Sequence, residues 1–192
     1  MLPVSGKNYR PYSHVAVMSG RTYVHSIVKR IIVLAYKDLE TEQKQKVYKY
    51  AETGFEYGGQ FKPHKTHQNG LSVDFIVPVL NQRGQSVYLP THALNKWGYA
   101  IKFNSKGRYK KYQIDFEAMA AHIVALHKQA NKSGVGIWRV IFDPGLQGYL
   151  FKTRYGQYLR QNVKFSRRRS WVRHDEHYHI DFSIKCKRYS RR

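Results

Sequence analysis

The sequence is poor in cysteine and in long apolar runs, and each shortage excludes a class of protein. Its single cysteine, Cys186, rules out an intrachain disulfide framework and a four-cysteine zinc site. The longest apolar stretch, residues 27–36, is interrupted by Lys29 and Arg30 and is too short to span a bilayer. No repeat or Pro/Gly/Ser-rich linker divides the 192 residues, which predicts one structural domain.

The N-terminus also lacks the pattern of a secretory leader. Residues 1–7 have no charged head followed by an apolar segment, so they are not a signal peptide as they stand. We therefore expect a soluble protein. Work outside the cytoplasm would require removal of a leader or another export route.

Acidic residues are scarce, with 12 Asp and Glu against 34 Lys and Arg and a formal net charge of +22. The electrostatic field of so large a positive charge attracts polyanions. Nucleic acid, anionic envelope polymers and acidic membranes are all polyanions of this kind. The densest basic runs are residues 106–112, 166–170 and 185–192, two of them interleaved with tyrosine. Tyrosine can stack on bases while cations bind phosphate, which keeps a nucleic-acid-binding protein or a metal-dependent nuclease as the alternative function.

Hydrophobic periodicity predicts a mixture of helices and strands. The expected elements are a helix or long strand over 24–36, a polar helix over 41–51, a strand over 71–77, a helix capped by Asp115 and ending near 131–134, and strands over 136–142 and 177–184. Because helices and strands do not alternate regularly, the order indicates an α+β domain, with a central antiparallel sheet flanked by helices.

Half of the 10 histidines fall in two short segments, residues 64–74 and residues 174–179. On a strand, His177 and His179 share one face, while Tyr178 and Ile180 share the other and pack inward. The two imidazoles are then close enough to share one ion or water. Histidine is the commonest zinc ligand because its pKa leaves it largely uncharged at neutral pH.

The first segment adds a carboxylate. Asp74 projects from the predicted strand, and Gly70 lets the preceding loop turn so that His67 can meet it. Two histidines and one carboxylate form a three-ligand zinc site with an open fourth position, which is typical of a catalytic centre.

Spacing alone leaves a structural role open for these clusters, because His-x-His strands also occur in copper sites, cupin-like barrels and two-histidine phosphodiesterases. Asp175 and Glu176 either orient a histidine or form a charged turn. The remaining histidines are interpreted as structural or simply exposed: His14, His25, His92, His122 and His127.

The two histidine segments resemble those of a known family. Gly-Gly-Gln-Phe over residues 58–61 is followed by His-Lys-Thr-His-Gln-Asn-Gly-Leu-Ser-Val-Asp over 64–74, and His-x-x-His-x-His occupies 174–179. This pattern is similar to that of the penicillin-insensitive murein endopeptidases, within the fold group of lysostaphin-type peptidases, D-alanyl-D-alanine peptidases and hedgehog domains. With residues 139–144, the resemblance covers about residues 55–184.

The resemblance implies a zinc site and roles for the other histidines. The implied zinc ligands are His67, Asp74 and His179. His177 would be the base or transition-state stabiliser, while His174 and His64 would lie in the active-site groove and assist catalysis or substrate positioning.

The resemblance also implies the reaction and its setting. Zinc-activated water would cleave peptide cross-links of peptidoglycan, of the D-alanyl-meso-diaminopimelyl type, as an endopeptidase or a D,D-carboxypeptidase. We expect the protein to act in the periplasm, in the cell envelope or outside the cell, with anionic envelope polymers as further partners. An antibacterial role would follow from the same reaction. An N-terminal part, residues 1–54, would pack on a peptidase core, residues 55–192.

Overall fold

The computed structural model describes residues 1–62, 64–168, 170 and 172–185. Cys186, Arg169 and nearly all of the basic run 185–192 lie outside the described residues. Within the described part, the helices are α1 (His14–Met18), α2 (Ser26–Glu42), α3 (Phe116–Lys132), α4 (Pro144–Leu150) and α5 (Gly156–Asn162). No helix in this part is long and apolar enough to cross a membrane.

The strands form two sheets. Their bounds are β1 (Tyr9–Pro11), β2 (Tyr48–Tyr50), β3 (Ser72–Ile76), β4 (Val79–Leu80), β5 (Ser86–Val87), β6 (Arg108–Tyr109), β7 (Tyr112–Ile114), β8 (Gly136–Ile141) and β9 (His177–Ser183). The larger sheet has the order β1-β2-β3-β9-β8, and the smaller one has the order β5-β4-β7-β6. Among the named strands of the described residues, only β1 and β2 pair in parallel, so the predicted α+β fold with an antiparallel sheet is confirmed.

The pairing of β3 with β9 brings the two histidine segments together. Asp74 lies opposite His179, and Ile76 lies opposite His177. Because side chains alternate along a strand, Asp74 and His179 share one face of the sheet. Phe75 and Tyr178, which are opposite each other on the other face, stack with ring centroids 5.4 Å apart.

The apolar face of the large sheet packs against α2 and α3. His122 of α3 lies in this layer, fully buried, stacked on Tyr36 and hydrogen-bonded to the Tyr178 hydroxyl. Burial lowers the pKa of His122 to about 3, so its ring is neutral and acts as a packing group.

Three predicted strands and the helix capped by Asp115 are confirmed, and one predicted helix is wrong. Residues 41–51 do not form a polar helix: α2 ends at Glu42, and Tyr48–Tyr50 forms β2. The reason is packing, because the rings of Tyr48 and Tyr50 are buried and β1 pairs with this segment. Most of the ambiguous segment 24–36 is helical, as part of α2 (Ser26–Glu42), and its β-branched Ile31 and Ile32 are buried in the core.

Gly70 sets the turn between His67 and β3, and its replacement by alanine is expected to destabilise the fold. Its φ is +72°, and an added Cβ would lie 2.7 Å from the backbone nitrogen of His25, which donates to the Gly70 carbonyl. Gly84 also has φ +72° but has no atom within 4 Å of an added Cβ. Both alanine variants bear the cost of positive φ, about 1–2 kcal/mol.

Only Gly70→Ala also forces the backbone of Gly70 away from that of His25, which adds about 1–3 kcal/mol to the loss of stability. Urea unfolding of the two variants measures the difference directly. An equal loss of stability in Gly70→Ala and Gly84→Ala would mean that the loop adjusts without cost.

Candidate metal centre and active-site cleft

Three buried side chains direct donor atoms at one point. His67 Nε2 lies 3.1 Å from His179 Nδ1 and 3.3 Å from Asp74 Oδ1, and His179 Nδ1 lies 2.7 Å from Asp74 Oδ1. Ligands that bind zinc tetrahedrally at the usual bond lengths are about 3.3 Å apart. The three atoms therefore have nearly the spacing of a metal ligand set.

The outer nitrogens of both imidazoles fix the tautomers. His67 Nδ1 lies 3.0 Å from the carbonyl oxygen of Thr53, which can only accept, so Nδ1 carries the proton and Nε2 presents a lone pair. His179 Nε2 lies 2.8 Å from Asp181 Oδ1, so in the neutral ring Nδ1 presents its lone pair inward. With His179 neutral, three lone pairs converge, and either a proton on His179 or a metal ion can satisfy them.

The electrostatics of the cluster agree with this demand for positive charge. Burial opposes charge on His179, but hydrogen bonds to Asp181 and Asp74 outweigh it and raise the pKa of His179 to about 9. Burial would likewise raise the pKa of Asp74, but His67 and His177 hold it well below its usual value. Asp74 is thus an anion that a proton on His179, or a metal in its place, must balance.

A wider group of donors includes His64. His64, His67 and Asp74 offer ligand atoms within 4.8 Å of one another and could hold a metal ion. However, His64 Nε2 lies 2.5 Å from Glu52 Oε2, and its Nδ1 is 4.0 Å from Asp74 Oδ2. His64 is therefore farther from the point of convergence than His179.

His177 and His174 lie beside the triangle with neutral rings. His177 Nε2 is 3.8 Å from Asp74 Oδ2, and its Nδ1 is 2.9 Å from Glu176 Oε1. The His174 ring lies 4.5 Å from that of His177. Burial lowers the pKa of His177 to about 4 and that of His174 to about 3. Of the two acids left open by the sequence, Glu176 contacts a histidine, whereas Asp175 accepts from the Phe103 amide.

Sequence reasoning missed several groups around these histidines. Asp181 could have been found, because it follows His179 by two residues on the same strand face. Tyr99, whose hydroxyl donates to Asp74 Oδ2 at 3.0 Å, and Glu52, which accepts from Arg21 at 2.6 Å, come from distant segments. No local pattern marks either of them.

A cleft of about 550 Å³ opens onto the histidine rings. His64, His174, His177 and His179 all line it, together with Tyr99. Its lining is mainly basic, with cations contributed by Lys65, Lys96, Arg139 and Arg168 and one acid, Glu52. All six predicted site residues thus lie at or beside one cleft: four line it, and His67 and Asp74 are buried next to His179.

Comparison with known proteins identifies the chain. No curated protein matches it. The family model of the penicillin-insensitive murein endopeptidases matches residues 1–192, which extends the resemblance from residues 55–184 to the whole sequence. The chain belongs to the penicillin-insensitive murein endopeptidase family.

Proposed function

We propose that the protein is a zinc-dependent peptidoglycan hydrolase whose metal ligands are His67, Asp74 and His179. The observation that carries the proposal is the convergence of two imidazole lone pairs and one carboxylate oxygen at separations of 2.7–3.3 Å. Imidazole-rich donors favour zinc, whereas the magnesium of most nucleases is held by several carboxylates. Membership in a murein endopeptidase family supports peptidoglycan as the substrate.

His179 is preferred to His64 as the third ligand for two reasons. Its Nδ1 is within 3.1 Å of both other donors, while His64 Nδ1 is 4.0 Å from Asp74 Oδ2. Asp181 also holds the outer nitrogen of His179, the usual arrangement of a carboxylate that orients a zinc-bound histidine. His64 instead lies in the cleft, held by Glu52.

When bound, zinc supplies a Lewis acid and lowers the pKa of a water molecule. The chain's own groups handle the proton. His177 is neutral, and Glu176 contacts its Nδ1, which leaves Nε2 on the side of Asp74 to accept a proton. His174 and His64 border this position and orient the substrate.

The proposed bond is the D-alanyl-meso-diaminopimelyl cross-link, cut as an endopeptidase, with D,D-carboxypeptidase activity as the related alternative. Such a substrate places the enzyme in the cell envelope or periplasm, or outside the cell as an antibacterial protein. The charge of +22 would hold it against anionic envelope polymers.

The test is digestion of purified peptidoglycan with and without a chelator, with the muropeptides identified by mass. We expect chelator-sensitive conversion of cross-linked dimers to monomers. Release of terminal D-alanine from pentapeptides, without dimer cleavage, would identify a carboxypeptidase. Sacculi left intact by zinc-loaded protein would contradict the proposal and favour nucleic-acid binding.

Asp181→Asn is expected to weaken zinc binding about 10–100-fold, because Asp181 orients His179 through its Nε2 proton. Asp181 also accepts from Arg139 and Ser72. The change to Asn is isosteric and therefore leaves no cavity among these partners. A chelator competition titration measures the affinity. Asp38→Asn, on the remote helix α2, is the matched control, and an unchanged affinity in Asp181→Asn would remove Asp181 from the site.

A further inference from the structure

A second groove lies next to the active-site cleft. It has a volume of about 750 Å³, and Arg139 and Ser166 line both cavities. Its other walls include Trp138 of β8, Phe151, Arg160 and Lys164. This second cavity, called the outer groove below, therefore adjoins the cleft that contains the histidines, and it has no role in the proposed chemistry.

The outer groove is positively charged. Arg139, Arg160, Lys164 and Arg167 line it, and none of its lining residues in the described part of the chain is acidic. Arg139 is engaged, because its Nε lies 2.6 Å from Asp181 Oδ2. Lys164 and Arg167 are exposed, and within the described residues no carboxylate pairs with either of them. These two cations are therefore available to an anionic ligand.

An aromatic side chain stands at the mouth of this groove. Trp138 lies at an irregularity in the pairing of β8 with β9, between Ile137 and Arg139, and its side chain is 54% exposed. Irregularities of this kind turn a side chain away from the regular pleat. The Arg139 guanidinium lies 4.3 Å from the Trp138 ring centroid, so ring and cation form one surface. Large exposed aromatics that border a groove are typical of binding surfaces.

The groove is also preformed. Its wall, the segment 163–166, is tied to β8 because the Val140 amide donates to the Lys164 carbonyl at 2.8 Å and the Ser166 amide donates to the Val140 carbonyl at 2.9 Å. The Gln147 side chain donates to the Ser166 carbonyl at 2.8 Å. A ligand therefore meets a fixed wall and loses little affinity to ordering it.

We infer that the outer groove binds the acidic peptide stem on one side of the cross-link, with carboxylates of the stem on Lys164 and Arg167. The inference rests on the proposed function. Diaminopimelyl residues carry a free carboxylate, which an exposed arginine or lysine recognises. Because Arg139 and Ser166 line both cavities, a peptide bound in the cleft needs to pass only these two side chains to reach the groove, whereas an independent polyanion site would not need to lie next to the histidines.

The experiment measures binding of a purified cross-linked muropeptide dimer by calorimetry. It uses the zinc-loaded full chain carrying His177→Ala, which slows turnover about 10²–10⁴-fold. In that background, Lys164→Gln with Arg167→Gln is expected to weaken the dimer's Kd about tenfold, since each exposed charge pair contributes modestly. Lys29→Gln with Arg30→Gln, two exposed charges on α2, is the matched control and should leave Kd unchanged.

A second ligand tests the charge directly. The same dimer with its carboxylates amidated should bind the His177→Ala protein about tenfold more weakly than the native dimer. It should also be insensitive to the loss of Lys164 and Arg167. Equal Kd values for the groove and control variants would overturn the inference. It would also be overturned if a single-stranded oligonucleotide displaced the dimer and this displacement required Lys164 and Arg167.

Failure of the proposed function gives a different result. Protein with His177 intact and loaded with zinc would then leave the dimer uncleaved, whatever the groove variants do to binding. Cleavage of the dimer together with equal Kd values would overturn the inference and keep the proposed function.

Discussion

His177→Ala is expected to lose most of the hydrolytic rate and keep the metal. A general base contributes about 10²–10⁴-fold to a rate, so kcat should fall by that factor. His177 is not part of the donor triangle, because its Nε2 lies 3.8 Å from Asp74 Oδ2, while the triangle atoms lie within 3.3 Å of one another. Muropeptide release and zinc content, measured on the same sample, separate the two roles.

The control for this variant is another histidine that is remote from the cleft. His127 lies on α3, where its Nδ1 bonds the Tyr158 hydroxyl at 2.9 Å, and His127→Ala should keep both rate and zinc. His177 is buried, so its truncation also leaves a cavity, and the unfolding midpoint must be measured alongside. Loss of zinc from a folded His177→Ala protein would make His177 a ligand and contradict the assigned role.

The sequence predicted the parts of the site that follow strand periodicity. His177 and His179 lie two residues apart, so a strand places them on one face whatever surrounds it. The pairing of Asp74 with His179 needed the register of β3 and β9, which the spacing of residues 64–74 did not contain. The resemblance to a family with the same motifs brought the two segments together in advance of the structure.

The parts that could not be predicted depend on contacts between distant, irregular segments. Glu52 reaches His64 from a loop that follows β2, a strand whose residues had been predicted as helix. Tyr99 reaches Asp74 from the end of the short helical segment Ala93–Gly98, in which Lys96 and Trp97 have positive φ. Two- and three-residue strands such as those of the smaller sheet have too little periodicity to be recognised.

Asp74→Ala is expected to abolish zinc binding and, with it, activity. Asp74 supplies the only carboxylate oxygen of the triangle, 2.7 Å from His179 Nδ1 and 3.3 Å from His67 Nε2. Without it, two neutral imidazoles remain, and two ligands hold zinc far less tightly than three. Metal analysis after dialysis should find about one zinc per wild-type chain and almost none in the variant. Glu52→Gln, which changes an acid whose side chain contacts His64 rather than a member of the triangle, should retain zinc.

The same assay decides between the two possible third ligands. If His179 completes the set, His179→Ala loses zinc while His64→Ala keeps it, because His64 is held by Glu52 at 2.5 Å and stands 4.0 Å from Asp74. If the set is instead His64, His67 and Asp74, the two variants exchange results. Zinc retained in Asp74→Ala itself would contradict both sets, because Asp74 belongs to each of them.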